Sequence, residues 1–442
     1  MLAFVKSATA VLRAALFLLY IPYSRGGRVM AIIKPFSCVR PSSGLAEQIA
    51  ALPYDVYNRR EATEYVRSHP LSFLRIDRAD TLFDESTDMY ADCVYEKARE
   101  LFDDMISRGE FISDPEEGYY IYELTMEGRA QTGIVACAAI DDYQNNVIKK
   151  HENTREDKEL DRIRHVDALS AQTGPIFLAY RTNRVIKSVV AETKMNPPIY
   201  AFEAEDGVWH RVWKMVRPAD IERVLRAFEQ ISDIYIADGH HRAASAVKVG
   251  LKRRSEHPDY DGTEEFNFFL SVLFPDEELM IMDYNRVVQD LNGYMPEEFL
   301  EEIGQCFEVE SVGAVPYAPE RKGTFGLYMD GVWYKLTANP EICSPDPVRG
   351  LDVSILQEVI LDPILGIRDP KSDKRIDFVG GIRGLKELER RADSDMRIAF
   401  SMFPTSIHEL FAVADANRLM PPKSTWFEPK LRSGLFIHRF ER

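Results

Sequence analysis

The chain has 442 residues, of which 45% are hydrophobic and 11% aromatic, and its formal net charge is −16. This length exceeds one ordinary compact domain, and the composition is that of a globular protein, which excludes disordered and fibrous classes. An acidic surface repels phosphate backbones and therefore disfavours sequence-independent binding to nucleic acid.

The N-terminal stretch differs from the rest of the chain. Lys6 and Arg13 precede a short apolar run from Ala14 to Ile21. This run is too short to span a bilayer, and no small-residue cleavage site follows it cleanly. We therefore expect residues 1–29 to be a non-native extension, with translation starting at Met30, or a weak signal-like segment, without stable membrane insertion.

Residues 30–203 are predicted to form an N-terminal α/β region. The stretch from Asp88 to Gly109 has apolar residues at three- and four-residue spacing, which predicts an amphipathic helix that Gly109 terminates. Two β-rich runs then flank the turn "EGRAQ" and predict a hairpin. A strand "GPIFLAYR" and two short strands around "EDG" follow.

Residues 204–292 are predicted to form a motif-bearing region, and residues 293–442 a C-terminal α/β region. In the former, the helix "PADIERVLRAFEQI" leads into the apolar strand "SDIYIAD", and a helix predicted to end near Gly250 follows. In the latter, helices again alternate with strands around "GTFGLYMDGVWYKL". The whole chain is therefore predicted to be mixed α/β.

The five cysteines are scattered, and no Cys-x-x-Cys pair occurs. A disulfide framework and a structural zinc site are both disfavoured, and a reducing cytoplasm is the expected compartment.

The strand-to-helix junction reads Asp238, Gly239, His240, His241, Arg242. A helix N-terminus carries unpaired N–H groups and a partial positive charge, which suit an anion. An arginine in the first helical turn opposes the helix dipole, so two histidines and an arginine there favour a bound phosphate. The alternative is structural, with Asp238 as the helix cap and Arg242 on the surface. Adjacent histidines point in different directions, which disfavours a metal site.

Two further polar stretches are candidate site segments. "KKHENTREDKELDR" supplies His151, Glu152 and Arg162. The alternative interpretation of this stretch is a charged face exposed to solvent. "PPKSTWFEPKL" supplies lysines and hydroxyls that can close over an anion, namely Lys423, Ser424, Thr425 and Lys430, and its alternative is a structural loop.

Several of these segments, in one order along the chain, resemble a known family. "ADGHHRAASA" resembles the core motif of the ParB/sulfiredoxin superfamily, in which a turn at a helix N-terminus holds nucleotide phosphates. More closely, "LPYDVYN", "KKHENT", "LDRIRHV", "DYNRVV" and "MPPKSTWFEPKLRSGL" resemble the bacterial domain-of-unknown-function family "ten-fifteen". The resemblance implies a ParB/sulfiredoxin-like core, elaborated by N- and C-terminal α/β segments. Residues 1–29 fall outside it.

The superfamily includes DNA-binding proteins, sulfiredoxins and free-serine kinases. His240 stands where a sulfiredoxin has its cysteine, and the acidic charge disfavours DNA, so the turn is most similar to that of the free-serine kinases. The resemblance implies a small-molecule kinase that uses ATP or ADP with Mg²⁺ and takes free L-serine as acceptor. The alternative is a nucleotide-binding regulatory protein or NTPase without such an acceptor.

Under the kinase hypothesis, each candidate residue has an expected role. Asp238 is the general base toward the acceptor hydroxyl, and Glu152 assists by binding an amino group or Mg²⁺. The expected phosphate and nucleotide ligands are Gly239, His240, His241, Arg242, Lys423, Ser424, Thr425 and Lys430. The expected substrate contacts are His151, Arg162, Tyr54 and Asp55.

Overall fold

The computed structural model describes residues 30–440, so the predicted N-terminal extension lies outside the described residues. Helices alternate with the strands of several sheets, which confirms the predicted mixed α/β class. The ParB/sulfiredoxin-like core stays a prediction. No helix in residues 30–440 is both long and apolar enough to cross a membrane.

The helices of the described range vary from one turn to nearly five turns. They are α1 (Ala46–Ile49), α2 (Arg59–Ser68), α3 (Leu74–Asp77), α4 (Asp92–Ser107), α5 (Ile140–Gln144), α6 (Glu156–Leu169), α7 (Arg184–Lys194), α8 (Pro218–Phe228), α9 (His240–Glu256), α10 (Pro296–Gly304), α11 (Asp352–Leu356), α12 (Leu385–Ala392) and α13 (Ile407–Asp415). A π-helical turn, Gln357–Leu361, directly continues α11.

The strands of the described range have two to eleven residues. They are β1 (Ile33–Lys34), β2 (Val39–Pro41), β3 (Phe111–Ser113), β4 (Tyr119–Met126), β5 (Arg129–Ala139), β6 (Ile148–Lys149), β7 (Ala171–Gln172), β8 (Ile176–Tyr180), β9 (Tyr200–Glu203), β10 (Trp209–Met215), β11 (Ile234–Asp238), β12 (Phe268–Pro275), β13 (Ile281–Met282), β14 (Tyr284–Val288), β15 (Phe307–Gly313), β16 (Thr324–Met329), β17 (Val332–Ala338), β18 (Ile376–Gly380), β19 (Ile398–Met402), β20 (Trp426–Phe427) and β21 (His438–Arg439).

The chain divides into two compact units that are discontinuous in sequence. The first unit contains the chain up to Lys149, then Thr154–Leu279, and then the chain from Pro429 onward. The second unit contains Lys150–Asn153 and Met280–Glu428. Apart from the four residues Lys150–Asn153, the second unit is therefore one continuous stretch that interrupts the sequence of the first unit.

A nine-stranded mixed sheet forms the centre of the first unit. Its order is β6-β11-β8-β12-β5-β4-β10-β9, and β1 pairs with β5 beside this path. The predicted hairpin is confirmed: β4 and β5 pair antiparallel across a turn in which Glu127 and Gly128 both have positive φ. Strands β4 and β5 are almost continuously buried, as expected for strands in the middle of a covered sheet.

Helix α9 lies between this sheet and helix α6. Its small apolar residues Ala243, Ala246 and Val247 join the core cluster to which Ile234 and Ile236 of β11 belong. On the side facing α6, the Ser245 hydroxyl donates to the backbone carbonyl of Glu159 (3.0 Å). This packing fixes the position of the helix start and of the turn that precedes it.

The predicted end of α9 near Gly250 is wrong, because the helix continues to Glu256. Gly250 instead lies where a Cβ atom would come within 2.4 Å of the Phe266 carbonyl oxygen. The glycine therefore permits close packing inside the helix and does not mark its C-terminal cap.

The second unit is organised around a six-stranded antiparallel sheet. The order is β15-β17-β16-β19-β14-β18, and α12 packs its buried Leu388 into the core beside this sheet. A separate two-stranded ladder pairs β13 with β20, with Ile281 opposite Phe427.

Candidate functional site

The Asp-Gly-His-His-Arg turn joins the end of β11 to the start of α9. Asp238 is the last residue of β11, and Gly239 follows in the left-handed region with φ of 90°. Gly239 is the N-terminal cap of the helix, and no side chain caps it. The alternative that Asp238 is the helix cap is therefore wrong: its carboxylate accepts the N–H of Gly239 (2.7 Å) instead of an amide in the first helical turn.

Arg242 folds back over this turn. Its guanidinium donates to the Pro175 carbonyl oxygen (2.7 Å) through Nη1, and a Cβ atom at position 239 would lie 3.0 Å from its Nε. The pairing of β11 with β8 also shifts register between Ile236 and Asp238, an irregularity of the kind that re-aims side chains at sheet edges. Position 239 therefore needs glycine both for its φ and for the close approach of the guanidinium.

The Asp238 carboxylate lies among positive charges and remains accessible. Its Oδ2 is 3.4 Å from the Lys430 Nζ, and 38% of its side chain is exposed. Burial alone would raise the pKa of Asp238, but the charges of Lys430 and Arg242 and the Gly239 N–H outweigh it. The pKa of this carboxyl is therefore held well below its usual range, and the group is ionised at neutral pH.

The two histidines of the turn have different surroundings. His240 is buried, and its positive charge would help to hold the pKa of Asp238 low. His241 accepts the backbone N–H of Arg155 (2.9 Å) at Nε2, which places its proton on Nδ1 in the neutral ring. Burial also lowers the pKa of His241. His241 is therefore a neutral side chain tied to the segment before α6.

A cavity of about 190 Å³ lies beside Tyr54 and Arg162, two of the predicted substrate contacts. The Arg162 guanidinium stacks on the Tyr54 ring at 3.9 Å from its centroid and pairs with Asp161 (2.7 Å). Asp55 also lines this cavity, with an exposed side chain. Three segments that are distant in sequence therefore meet here, since α3, α4 and α6 each contribute to the wall.

A smaller cavity of about 30 Å³ adjoins the first and reaches the turn. Arg242 and Gly174 line it, and the two cavities share four wall residues, Tyr54, Asp77, Arg162 and His165. Arg242 of the turn and three of the predicted substrate contacts, Tyr54, Asp55 and Arg162, therefore line adjoining cavities of the first unit.

The remaining predicted residues belong to the second unit. His151 is buried and its carbonyl oxygen accepts the N–H of Met420 (2.8 Å), while Glu152 is half-buried. Lys423 is exposed with a positive φ of 58°. The Ser424 hydroxyl donates to the Pro421 carbonyl oxygen (2.6 Å), and Thr425 beside it is half-buried. The roles predicted for these residues stay predictions.

Asp77 and His165 line both cavities, yet the sequence did not single them out. His165 lies three residues after Arg162 on α6, a spacing that places the two side chains on one helix face. That signal was present in "LDRIRHV". Asp77, in contrast, ends the short helix α3 and lies in no motif that connects it to the turn.

Comparisons with known proteins give one family match and several weak structural ones. The model of a family described as "Protein of unknown function (DUF1015)" matches residues 33–354. The chain matches no curated protein.

The solved structures that resemble it include a free serine kinase in complex with AMP. That structure has 15% identity and a TM-score of 0.34, and the match covers 68% of this chain and 90% of the other. A conserved hypothetical protein from Pyrococcus furiosus has 15% identity and a TM-score of 0.31, over 68% of this chain and 93% of its own. SbnI with a C-terminal truncation, from Staphylococcus aureus, has 10% identity and a TM-score of 0.36, over 66% and 82%. Because these TM-scores lie below 0.5, the similarities establish neither a shared activity nor a shared ligand.

Proposed function

We propose that this chain, which belongs to the DUF1015 family of proteins of unknown function, is a phosphotransferase. It moves a nucleotide phosphoryl group, from ATP or ADP with Mg²⁺, to the hydroxyl group of a small molecule, with free L-serine as the first acceptor to test. The observation that carries this proposal is the accessible, ionised Asp238 carboxylate directly before the N-terminus of α9.

The turn supports phosphate binding through its charge and its backbone. The first N–H groups of a helix have no partner within the helix and attract anions. Arg242 adds a guanidinium with about five N–H donors, one of which is used by the Pro175 carbonyl oxygen. Lys430 adds an ammonium 3.4 Å from Asp238. These cations are able to hold a polyphosphate while Asp238 remains beside the transferred group.

Asp238 suits the role of orienting the acceptor hydroxyl. A carboxylate with a lowered pKa is a weak base, but phosphoryl transfer passes through a loose transition state that depends mainly on positioning and charge. An ionised Asp238 accepts a hydrogen bond from the acceptor hydroxyl and takes its proton as the new P–O bond forms, while the P–O bond to the nucleotide breaks and the shortened nucleotide leaves with both bonding electrons. The opposing charges on Arg242 and Lys430 stabilise the phosphoryl oxygens.

The test is product formation with each nucleotide, Mg²⁺ and L-serine, followed by mass spectrometry for phosphoserine. We expect Asp238→Asn to lower the rate about 100-fold or more and to leave nucleotide binding intact. Asp233→Asn is the matched control, since this aspartate directly precedes the other end of the same strand and pairs there with Lys149 (3.3 Å).

Two results would reject the proposal. The first is the absence of a phosphorylated product across a panel of hydroxyl compounds. In that case, release of inorganic phosphate would instead favour the NTPase alternative. The second is an unchanged rate for the Asp238→Asn protein, which would remove Asp238 from the reaction.

A further inference from the structure

Asp77 is a buried carboxylate with few partners. Its side chain is only 4% exposed, at the end of α3, and it faces both cavities described above. The Thr173 hydroxyl donates to its Oδ1 at 3.3 Å. A buried carboxylate is normally held by a cation or by several donors, so this one is under-satisfied within the described residues.

The other carboxylates of the larger cavity are already balanced or exposed. Asp80 accepts two hydrogen bonds from Arg78 (2.9 and 3.1 Å), and the Nε and Nη2 atoms of Arg162 are both directed at Asp161. Asp55 lies at the exposed rim. The buried arginines of the wall, Arg78 and Arg162, therefore form salt bridges with Asp80 and Asp161, whereas Asp77 forms none with a lysine or arginine of the described residues.

The neighbouring histidine does not supply the missing charge. His165 lies 3.6 Å from the Asp77 Oδ1, but its Nε2 donates to the Ile76 carbonyl oxygen (3.2 Å). Burial and the charge of Arg162 lower the pKa of His165 to about 4, although the charge of Asp77 acts in the opposite direction. His165 is therefore neutral at neutral pH, and Asp77 forms no salt bridge with a lysine or arginine of the described residues, although its charge is near enough to raise the pKa of Arg162.

We propose that this cavity binds a small organic molecule through its ammonium group, and that Asp77 is the residue that holds the ammonium. A bound ammonium completes the charge balance of the wall and donates to the oxygen of Asp77 that Thr173 leaves open. The cavity volume of about 190 Å³ is below the roughly 300–1,000 Å³ of pockets for drug-sized ligands, so the ligand has only a few non-hydrogen atoms.

Under the proposed function, this ligand is the acceptor of the phosphoryl group. The wall that contains Asp77 is shared with the smaller cavity, which Arg242 of the turn also lines. The acceptor role of this ligand rests on the proposed function, and it narrows the acceptor to an amino alcohol or a hydroxy amino acid. The binding of an ammonium group in the cavity does not depend on phosphoryl transfer.

The first test uses three two-carbon alcohols that differ in one group: ethanolamine, glycolate and ethylene glycol. Their binding to the full-length protein is measured by calorimetry in the absence of nucleotide, with L-serine as a fourth ligand. We expect ethanolamine and L-serine to bind about tenfold tighter or more than glycolate and ethylene glycol. Equal or tighter binding of glycolate, or no binding of either ammonium compound, would overturn the proposal.

The second test removes the charge of Asp77 and keeps its shape. Asp77→Asn retains an acceptor for Thr173, and we expect it to weaken ethanolamine binding about tenfold or more. The matched control is Asp103→Asn, an aspartate on α4 whose side chain is 58% exposed, and its affinity should equal that of the unchanged protein. An unchanged affinity in the Asp77→Asn protein would remove this residue from the site.

If Asp77→Asn does not fold, the ligand series on the unchanged protein still decides the question. The outcomes also separate this inference from the proposed function. Ammonium-dependent binding without phosphorylated product would retain the cavity assignment and reject the kinase. Phosphorylation of glycolate as fast as ethanolamine would retain the kinase and reject the role of Asp77.

Discussion

Two carboxylates of the first unit are balanced in opposite ways. Asp238 has a lysine at 3.4 Å, an arginine folded over the next residue, and a side chain that is 38% exposed to water. Asp77 has one hydroxyl donor and a side chain that is only 4% exposed. At the turn, water and cations share the charge, whereas in the cavity the charged side chains are buried and depend on a few fixed partners. Removing one charged side chain should therefore have small effects on stability at the turn and large effects in the cavity.

The largest expected effect is that of Arg162→Met. This change leaves the buried carboxylate of Asp161 without its arginine, and loss of one member of a buried pair typically costs about 3–5 kcal/mol. Urea denaturation should show a loss of that size in the free energy of unfolding. The control, Arg99→Met, removes a 69% exposed arginine from α4 and should change stability by less than about 1 kcal/mol. A similarly small loss for Arg162→Met would show that the cavity charges are hydrated like those of the turn.

The pH dependence of stability tests the cavity next. His165 has a pKa of about 4 in the folded protein, below its ordinary value of 6.5, so only the unfolded chain gains its proton as pH falls between these values. The contribution of His165 to the free energy of unfolding is complete above pH 6.5 and should be lost progressively toward pH 4. At pH 5 the loss relative to neutral pH should be about 2 kcal/mol.

Replacing His165 with glutamine should reduce that loss between pH 7.5 and pH 5 in urea titrations at each pH. His408→Gln, at an exposed position of α13, should keep the full pH dependence of the unchanged protein. If both variants lose the same stability, the burial of His165 does not cause the loss between pH 7.5 and pH 5.

The turn itself should respond moderately to Gly239→Ala. The left-handed φ of 90° costs a non-glycine residue about 1–2 kcal/mol, and the added Cβ must displace the Arg242 guanidinium. The control is Gly128→Ala, which has a similar φ of 78° and no atom within 4 Å of the added Cβ. Thermal unfolding of both variants separates the cost of the left-handed backbone from the cost of moving Arg242. A larger loss of stability in Gly239→Ala measures the cost of displacing the guanidinium, and equal losses would show that the guanidinium moves freely.

The smallest expected effect on stability is that of Lys430→Met. Because Asp238 is partly hydrated, loss of its lysine should change the free energy of unfolding by less than about 1 kcal/mol. The same change should raise the pKa of Asp238 toward its ordinary value, since the charge of Lys430 is the main cause that lowers it. A carbon NMR titration of the carboxyl measures this directly. A stability loss of several kcal/mol, or an unchanged pKa, would contradict the description of the turn.

The same contrast explains what the sequence could and could not predict. The turn lies within five consecutive residues, so local sequence patterns were sufficient to predict the strand, the glycine turn and the helix. The β4–β5 hairpin was predicted for the same reason. The cavity is assembled from separate helices, and nothing in the sequence around Asp77 connects it to Arg162. Gly250 shows a second limit: a glycine near the end of a pattern resembles a helix cap, but here a carbonyl oxygen from a neighbouring segment decides its role.

The interrupted first unit has a consequence for how the protein is made. Lys430 and strand β21 follow the inserted stretch Met280–Glu428, whose two ends are held together by the pairing of Ile281 with Phe427. At about 5–20 residues per second, the ribosome spends on the order of ten seconds on this insertion before Lys430 emerges. During that interval the nascent chain already carries Asp238 but lacks its lysine partner, so the charge balance of the turn is completed only late in synthesis.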